Sequence, residues 1–198
     1  MIRMRRFKIF LLLVLAVGQS HADDVLAKIT ARLVKTPVAQ GEFQQEKKLK
    51  ILRKPLLSSG TFTYHQNKGV LWKTLTPMPS SLLVNETQLL AKQGRQAVPP
   101  AFGKVFKALL GGELSSLTET FTISATDGLS WQLQLTPKDE LLKRAISNIK
   151  LTGDTELRQL DLLERTGNQT HISFRQISHP KELSKEQNAD FERLSPKN

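Results

Sequence analysis

Short segments of alternating apolar and polar residues, each bounded by turn-forming residues, fill most of this chain and predict an antiparallel sheet. In segment 130–135, Trp131 and two leucines alternate with glutamines, so one face is apolar and the other polar. Asp127-Gly128 precedes this segment and signals a hairpin to another segment at 118–125. Strands joined by hairpins this short are antiparallel.

Ten strands are predicted in this way. They cover residues 43–52, 61–64, 70–73, 81–84, 88–91, 118–125, 130–135, 145–151, 157–165 and 169–177. Asn67-Lys68-Gly69 and Gly167-Asn168 supply tight turns between two of the pairs. A sheet of this many strands twists and curls, and its concave face needs an apolar cover.

Two amphipathic helices are the candidates for that cover. The first is predicted to begin at an Asp23-Asp24 cap and to run to about Lys35, with apolar residues at three- and four-residue spacing. The second opens at Pro99-Pro100 and closes at Gly111-Gly112. Its apolar stripe consists of Phe102, Val105, Phe106, Leu109 and Leu110.

A third, shorter helix is predicted near the C-terminus, where Ser184 and Gln187 form a capping box ahead of Phe191 and Leu194. Many hairpin-linked strands and few helices place the chain in the mostly β (α+β) class. We expect a partly closed barrel with helices across its mouth, which either packs solid or encloses an apolar cavity.

The first 22 residues have the order of a secretory signal peptide. A cationic start precedes an apolar run at 9–18, and small residues occupy the −3 and −1 positions of a cleavage site after Ala22. The run is about half the length of a permanent membrane span, and a retained anchor is the alternative. We expect residues 1–22 to be removed, residues 23–198 to form a single domain, and the protein to work in the periplasm.

Charge and cysteine content narrow the class further. The formal net charge is +11 and there is no cysteine, which excludes disulfides and cysteine metal sites. Removing four leader cations leaves +7, with basic concentrations at 47–54 and 138–144. These form either a solvated surface or an electrostatic face towards an acidic partner or anionic lipid headgroups. The export signal and the lack of a dense basic-aromatic patch argue against nucleic acid.

Catalytic and metal-ligating patterns are missing from the sequence. No Gly-x-Ser-x-Gly, Gly-rich phosphate loop or His-Glu-x-x-His occurs. His65, His171 and His179 lack metal-ligand spacing, and the first and last are interpreted as solvated loop positions. Asp139-Glu140 is interpreted as a solvated helix start after Pro137. We therefore expect no enzyme activity, no catalytic residue, no metal and no cofactor.

Apolar surface remains as the candidate binding machinery. An acyl chain would fit the space between a curled sheet and its helical cover, and each buried CH₂ contributes about 0.8 kcal/mol. The alternative is that the same side chains form an ordinary core. The candidate lining and lid residues are Phe43, Phe62, Tyr64, Leu71, Trp72, Leu82, Val84, Phe102, Val105, Phe106, Leu109, Phe121, Trp131 and Leu133.

A series of short motifs follows one another along the chain. They are Gly41-Glu42-Phe43-Gln44-Gln45, Ser59-Gly60-Thr61-Phe62, Gly69-Val70-Leu71-Trp72 with Thr76-Pro77, Leu82-Leu83-Val84, a Leu-x-Pro strand end at Leu135-Thr136-Pro137, and closing hairpins over 149–174. As an ordered set covering about residues 24–178, they resemble the LolA family of outer-membrane lipoprotein carriers. The tail at 183–191 resembles a divergent branch of that family. The family's arginine before the tryptophan is absent, because Lys68 is the only cation in 65–71 and lysine is not its equivalent.

The resemblance implies an unclosed antiparallel half-barrel with a helical lid over an apolar cavity. It implies a periplasmic carrier that binds acyl chains of lipoproteins or other lipids and moves them from the inner to the outer membrane. Its partners would be that cargo, an inner-membrane exporter as donor and an outer-membrane acceptor, and we expect a monomer. The alternative is a non-transport lipid- or partner-sensing module of the same fold that regulates a membrane protein.

Overall fold

The computed structural model describes residues 18–85, 89–91, 94–96, 105 and 107–194, with side chains from Asp24 onwards apart from those at 89–91 and 94–96. Its helices are α1 (Gly18–Arg32), α2 (the described helical residues 105 and 107–110), α3 (Glu140–Ala145) and α4 (Lys185–Leu194), and a 3-10 helix spans Leu114–Glu119. Its strands are β1 (Val38–Lys48), β2 (Leu56–His65), β3 (Gly69–Thr76), β4 (Ser80–Val84), β5 (Leu89–Ala91), β6 (Gly94–Gln96), β7 (Phe121–Thr126), β8 (Trp131–Pro137), β9 (Ile146–Gly153), β10 (Leu157–Glu164) and β11 (Gln169–Ser178).

The eleven strands of the described chain form one antiparallel sheet in the order β6-β5-β4-β3-β2-β1-β11-β10-β9-β8-β7. Neighbours in the sheet are neighbours in sequence except at β1 and β11, which pair along most of their length. β6 and β7 are the two edges, so the described strands do not close into a barrel. The chain therefore consists of two meanders, β1–β6 and β7–β11, joined along β1 and β11.

Different helices cover the two faces of the sheet. α1 and α2 lie on what we call the inner face, where they share one apolar core with side chains from both meanders. α4 lies on the outer face, where Phe191 packs against Leu71 and Leu83. Within the described ranges, none of the helices combines the length and the apolar character that crossing a bilayer requires.

The C-terminal end of α2 is confirmed at Gly111-Gly112. Gly112 adopts a φ of +70°, and the amide of Glu113 donates to the carbonyl oxygen of Ala108 at 2.8 Å. This is the helix-ending geometry in which a left-handed glycine redirects the chain. The predicted start at Pro99-Pro100 lies outside the described residues.

A predicted capping box and a predicted helix start are also confirmed. The Ser184 amide donates to Gln187 Oε1 at 2.8 Å, and the Gln187 amide donates to Ser184 Oγ at 3.1 Å, which completes the capping box of α4. Asp139 caps α3 by accepting from the amides of Leu141 and Leu142 at 2.9 and 3.1 Å. The carboxylate pair therefore begins a helix, as predicted.

The predicted bounds of the first helix were wrong at both ends. α1 begins at Gly18, so Asp23-Asp24 lies within the helix and does not cap it. It ends at Arg32 and not near Lys35, because the amide of Val34 donates to the carbonyl oxygen of Thr155 at 3.0 Å. The chain leaves the helix to bond with the β9–β10 connection.

Each of the ten predicted strands has a counterpart, but several boundaries differ. The second strand begins at Leu56 and not at residue 61, and the third ends at Thr76 and not at residue 73. The first strand is β1, 38–48, and not 43–52, because the polar residues after it form a turn in which the Leu52 amide donates to the Leu49 carbonyl oxygen at 2.9 Å. The segment predicted to begin at residue 118 starts as the 3-10 helix, and β7 begins at Phe121. The short strand β6 was not predicted.

Candidate ligand-binding face

Four aromatic side chains pack together on the inner face, where β1, β2, β3 and β11 lie near one another. Phe43 and Trp72 stack, with ring centroids 3.8 Å apart and an interplanar angle of 26°. The Phe174 ring lies nearly perpendicular to Trp72 at 6.2 Å and to Phe62 at 5.5 Å. The three phenylalanines are buried and Trp72 is half-buried. Trp72 is therefore the most exposed ring of this aromatic cluster.

Two glycines allow close packing next to the aromatic cluster, one against a ring and one against the neighbouring strand. Gly41 lies opposite Phe62, and a Cβ at position 41 would come within 2.9 Å of that ring. Gly60 lies opposite Phe43, and a Cβ there would collide with the backbone carbonyl oxygen of Lys73. Nonbonded carbon atoms pack at about 3.5–4.0 Å, so neither position accepts a larger residue without displacement. The two glycine motifs of the sequence thus allow rings and a neighbouring strand to approach the backbone closely.

A second part of the inner face, over β7–β10, is centred on Trp131. This side chain is fully buried, and its indole Nε1 donates to the carbonyl oxygen of Asp154 at 2.7 Å. Its ring lies against Gly153, where a Cβ would collide with it. α1 lies near β7 and the 3-10 helix and contributes Leu26 and Ile29 to the shared core. The indole is therefore held by packing on its ring and by a hydrogen bond.

The described lid residues on α2 are packed against the inner face. Val105 and Leu109 are 1% and 4% exposed. At the end of the helix, Gly111 lies against the Tyr64 hydroxyl. Burial, and then the Glu113 carboxylate, raise the pKa of Tyr64, so this hydroxyl is neutral over the ordinary pH range. The other two predicted lid residues, Phe102 and Phe106, lie outside the described residues.

Strand register places the remaining predicted residues. Leu82 lies opposite Trp72, and Val84 lies opposite the buried Val70, so both are on the inner face. Leu82 is half-buried and Val84 is buried. The structure thus brings together on one face Phe43, Phe62, Tyr64, Trp72, Leu82, Val84, Val105, Leu109, Phe121, Trp131 and Leu133.

Leu71 does not belong to that set, and its placement among the lining residues was wrong. It lies opposite Leu83, and both pack with Phe191 of α4 on the outer face. Successive residues of a strand point to opposite faces, so adjacent Leu71 and Trp72 cannot line the same cavity. Both positions are apolar because each face of β3 has its own cover.

Polar contacts fasten α4 to the outer face. Asp190, which is 8% exposed, forms an ion pair with Lys73 of β3. Lys68 donates to Asn188 Oδ1 at 2.7 Å, and its Nζ lies 5.8 Å from the centroid of the Phe191 ring. Lys68 is therefore engaged with α4 on the outer face.

Two histidines pair with carboxylates. His179 Nε2 lies 2.6 Å from Glu156 Oε1, and its side chain is only 23% exposed, so the interpretation of His179 as solvated was wrong. β11 runs antiparallel to β10, so the residues just after β11, including His179, lie beside the β9–β10 connection. His171 Nδ1 lies 2.6 Å from Asp161 Oδ1 across β10 and β11.

His65 lies at the end of β2 and accepts a hydrogen bond on Nδ1 from the amide of Asn67 at 3.1 Å. Burial, and then the nearby ammonium group of Lys68, lower its pKa. In the part of the chain that the structure describes, no three His, Asp or Glu side chains are grouped where they could hold a metal ion. The side chains of the inner face are predominantly apolar.

These observations define an open antiparallel sheet with an apolar inner face under helices, an architecture suited to binding apolar groups. A family model described as "Outer membrane lipoprotein carrier protein LolA" matches residues 34–188. Because this match covers well over half of the chain, the protein belongs to the LolA family. The unclosed antiparallel half-barrel with a helical cover that the sequence predicted is thereby confirmed.

Two solved structures that a structural comparison matches to this chain have low sequence identity to it. A LolA superfamily protein from Nitrosomonas europaea superposes with a TM-score of 0.49 at 10% identity, covering 83% of this chain and 96% of that one. A DUF1329 family protein from Desulfovibrio piger superposes with a TM-score of 0.49 at 12% identity, covering 89% of this chain and 98% of that one. No curated protein sequence matches this chain.

Proposed function

We propose that this protein is a periplasmic carrier that binds acyl chains of lipoproteins or other lipids on its inner face. The description of the matching family, an outer membrane lipoprotein carrier, supports transport from the inner to the outer membrane. An inner-membrane exporter would then load the protein and an outer-membrane acceptor would unload it. We further propose that the protein acts as a monomer and does not bind nucleic acid.

One observation supports this proposal above the others: Trp72 and Leu82 lie opposite each other on the inner face and are both half-buried, and Trp72 stacks with the buried Phe43. When an alkyl chain removes partly exposed apolar side chains of this helix-covered face from water, the free energy falls, which favours binding. At about 0.8 kcal/mol for each buried CH₂, a dozen carbons suffice for useful affinity without any charged contact.

The residues proposed to bind cargo belong to the aromatic cluster and its neighbours. On the sheet they are Phe43, Phe62, Tyr64, Trp72, Leu82 and Val84, and on the lid they are Phe102, Val105, Phe106 and Leu109. Phe121, Trp131 and Leu133 line the other part of the inner face. Movement of α2 away from the sheet would admit the cargo.

The proposed location in the periplasm rests on the N-terminal signal pattern and on the family. Residues 1–22 would direct export and be cleaved after Ala22. Intact-mass measurement of the exported protein tests this directly, because cleavage elsewhere or a retained leader gives a different mass.

Native mass spectrometry with organic extraction, on protein purified from the periplasm of its own cells, tests the carrier proposal. We expect acylated species in stoichiometric amounts, whose headgroups distinguish lipoproteins from other lipids. A protein that is empty and also refuses added lipid would overturn the proposal.

A pair of neighbouring substitutions separates loading from folding. Trp72→Ala removes the most exposed ring of the aromatic cluster and should lower lipid loading about tenfold or more, with folding retained. Leu71→Ala is the matched control, because it truncates the adjacent residue on the outer face and should leave loading of the folded protein unchanged. Phe106→Ala on the lid should behave like Trp72→Ala. Normal loading in Trp72→Ala would contradict the assignment of the inner face as the lipid-binding site.

A sensing module remains the second candidate, and the closed packing around Trp131 favours it. A sheet whose inner face is largely filled can transmit a partner's binding without carrying a ligand. Such a module would bind one membrane protein tightly and show no turnover of lipid. Transfer of labelled lipid from loaded protein to acceptor membranes decides between the two, because only a carrier releases its cargo.

A further inference from the structure

Four connections that are far apart in sequence lie together at one end of the strands. This edge of the sheet is formed by connections and is distinct from the edge strands β6 and β7. The four connections are the β1–β2 connection (49–55), the β3–β4 turn (77–79), the β10–β11 turn (165–168) and the segment with α3 (138–145). Register places them together, since Lys48 lies opposite Gln169 and Ser59 lies opposite Thr76. We call these connections, with the strand ends next to them, the basic rim.

Exposed apolar side chains are concentrated on the basic rim. Seven of the nine large apolar residues that are exposed in the described part of the chain lie there. They are Ile51 (88% exposed), Met78 (77%), Leu141 (70%), Leu57 (64%), Leu75 (55%), Leu56 (50%) and Leu52 (44%). Single exposed apolar residues are ordinary on protein surfaces, but a concentration on one edge marks an interaction site.

Positive charge is concentrated on the same rim. Residues 46–57 carry five cationic side chains and one carboxylate. At the opposite edge, the described connections at 33–37, 66–68, 127–130, 154–156 and 179–184 carry three cations and four carboxylates. The connections at the two ends of the strands therefore have opposite charge balances.

The carboxylates near the basic rim already have partners. Glu46 pairs with Lys48 at 3.1 Å, Glu164 with Lys47 at 3.3 Å and Glu140 with Lys143 at 2.7 Å. The remaining cations of the rim form no ion pair with any described residue; they are Lys50, Arg53, Lys54, Lys138, Arg144 and Arg165. These side chains are available to an anionic partner.

Hydrogen bonds connect neighbouring segments of the rim. The Lys50 amide donates to Asn168 Oδ1 at 3.1 Å, which joins the β1–β2 connection to the β10–β11 turn. The Arg165 amide donates to the Ala145 carbonyl oxygen at 2.9 Å, which joins that turn to α3. The cationic and apolar side chains are thus presented on a structured edge.

We propose that the basic rim docks this protein onto the surface of an anionic phospholipid bilayer. Cations bind headgroup phosphates while aliphatic side chains beside them enter the interface, the combination that peripheral membrane anchors use. The unpaired cations and the exposed aliphatic side chains are spread over four separate connections. A laterally uniform layer of headgroup phosphates above acyl chains can meet all of them at once, which favours an anionic lipid surface. The inference goes beyond carriage of cargo and holds for an empty protein as well as a loaded one.

Vesicle co-sedimentation tests the docking proposal. The processed protein is mixed with phosphatidylcholine vesicles that contain or lack phosphatidylglycerol, at low and high salt. We expect binding that requires phosphatidylglycerol and weakens as salt increases, because surface attraction is screened within about a Debye length. Neutralising two rim cations in Arg53→Gln/Lys54→Gln should weaken partitioning about 25-fold, at roughly fivefold for each charge.

The apolar contribution has its own variant and control. Ile51→Ser should reduce partitioning about tenfold, because it removes an aliphatic side chain that would enter the interface. Leu129→Ser is the control, since Leu129 is 99% exposed at the opposite edge. Lys181→Gln/Lys185→Gln, exposed lysines away from the rim, controls for net charge. All variants share the same N-terminus, so a difference in partitioning between a rim variant and its matched control arises from the rim residues.

Three results would overturn the proposal. Equal losses in Arg53→Gln/Lys54→Gln and in Lys181→Gln/Lys185→Gln would show that only net charge is sensed, and equal losses in Ile51→Ser and Leu129→Ser would show that the apolar residues of the rim have no special role. Absence of binding to both kinds of vesicle would assign the basic rim to an acidic protein instead. Lipid loading measured in parallel distinguishes failure of docking from failure of carriage, because the rim variants leave the aromatic cluster intact.

Discussion

The two parts of the inner face are closed to different extents. Around Trp131 the ring is fully buried, its N–H is hydrogen-bonded, and α1 with the 3-10 helix lies above the strands. Around Trp72 the three phenylalanine rings of the aromatic cluster are also buried, but Trp72 and Leu82 are half-buried. The support of that part comes from the outer face, where Phe191 of α4 packs against β3 and β4.

This difference shows how one sheet can combine stability with binding. A side chain that packing buries on every side has already lost its apolar area to folding, so a ligand cannot bury any more of it. A residue that is left half-buried, over strands braced from behind, can still lose exposed area to a ligand. The comparison supports assigning ligand contact to the Trp72 part and structural support to the Trp131 part.

The largest expected effect is on stability, and it compares the two tryptophans directly. Trp131→Ala should lower the free energy of unfolding by about 4 kcal/mol, because it empties a fully buried site and leaves the Asp154 carbonyl oxygen without its donor. Trp72→Ala should cost about 2 kcal/mol, since part of its area is already in water. Urea unfolding of both variants measures this, and equal losses would contradict the comparison.

A glycine substitution sharpens the same contrast with a smaller effect. Gly153→Ala places a methyl group against the Trp131 ring and the Glu156 carbonyl oxygen, so we expect a loss of about 2 kcal/mol from overpacking. Gly128→Ala is the control, because the nearest atom to its Cβ would be 3.6 Å away. Thermal unfolding should separate the two by several degrees. If Gly153→Ala were as stable as its control, the packing of Trp131 would be looser than described.

The smallest expected effect is on pH dependence, and it differs between His65, which lies beside Phe191 of α4, and Asp154, whose carbonyl oxygen accepts from Trp131. Burial, and then Lys68, lower the pKa of His65 below its ordinary 6.5, so the stability that neutral His65 contributes is complete above that value and lost as the pH falls through the folded pKa. At the Trp131 part, burial raises the pKa of Asp154, but hydrogen bonds from Arg158 and the Glu156 amide outweigh it and lower the pKa below 3.8. That contribution is lost only in stronger acid.

Thermal unfolding across this pH range measures both effects. His65→Asn should flatten the decline in Tm between about pH 7 and 5 by about 1–2 °C. Asp154→Asn should leave that interval unchanged and alter the profile only below about pH 4. Identical pH profiles of Tm for the two variants would contradict this assignment of the two pH ranges to His65 and Asp154.

The sequence predicted the existence of the strands better than it predicted their faces. Alternation along 130–135 correctly placed Trp131 and Leu133 on one apolar face, because the glutamines between them mark the other. In Leu71-Trp72 both residues are apolar, so the alternation vanished, and only the packing of α4 shows which residue faces inward. A strand that is covered on both faces gives no periodic signal.

The basic rim could not be assembled from the sequence for a related reason. Its two basic runs, 47–54 and 138–144, are visible in the sequence as separate clusters. Only the pairing of β1 with β11 brings the first run next to the β10–β11 turn, and only the hydrogen bond from Arg165 to Ala145 links that turn to the second. Long-range strand order is not encoded in local periodicity.

The seam between β1 and β11 also has a kinetic consequence. Within each meander every strand pairs with a strand that lies close by in sequence, so contact formation is local and closes short loops. The seam instead joins Lys48 to Gln169, and a chain emerging from its N-terminus completes β1 long before β11 exists. We therefore expect each meander to form early and the seam to form late. Until then, β1 is an unprotected edge strand that can pair with another chain.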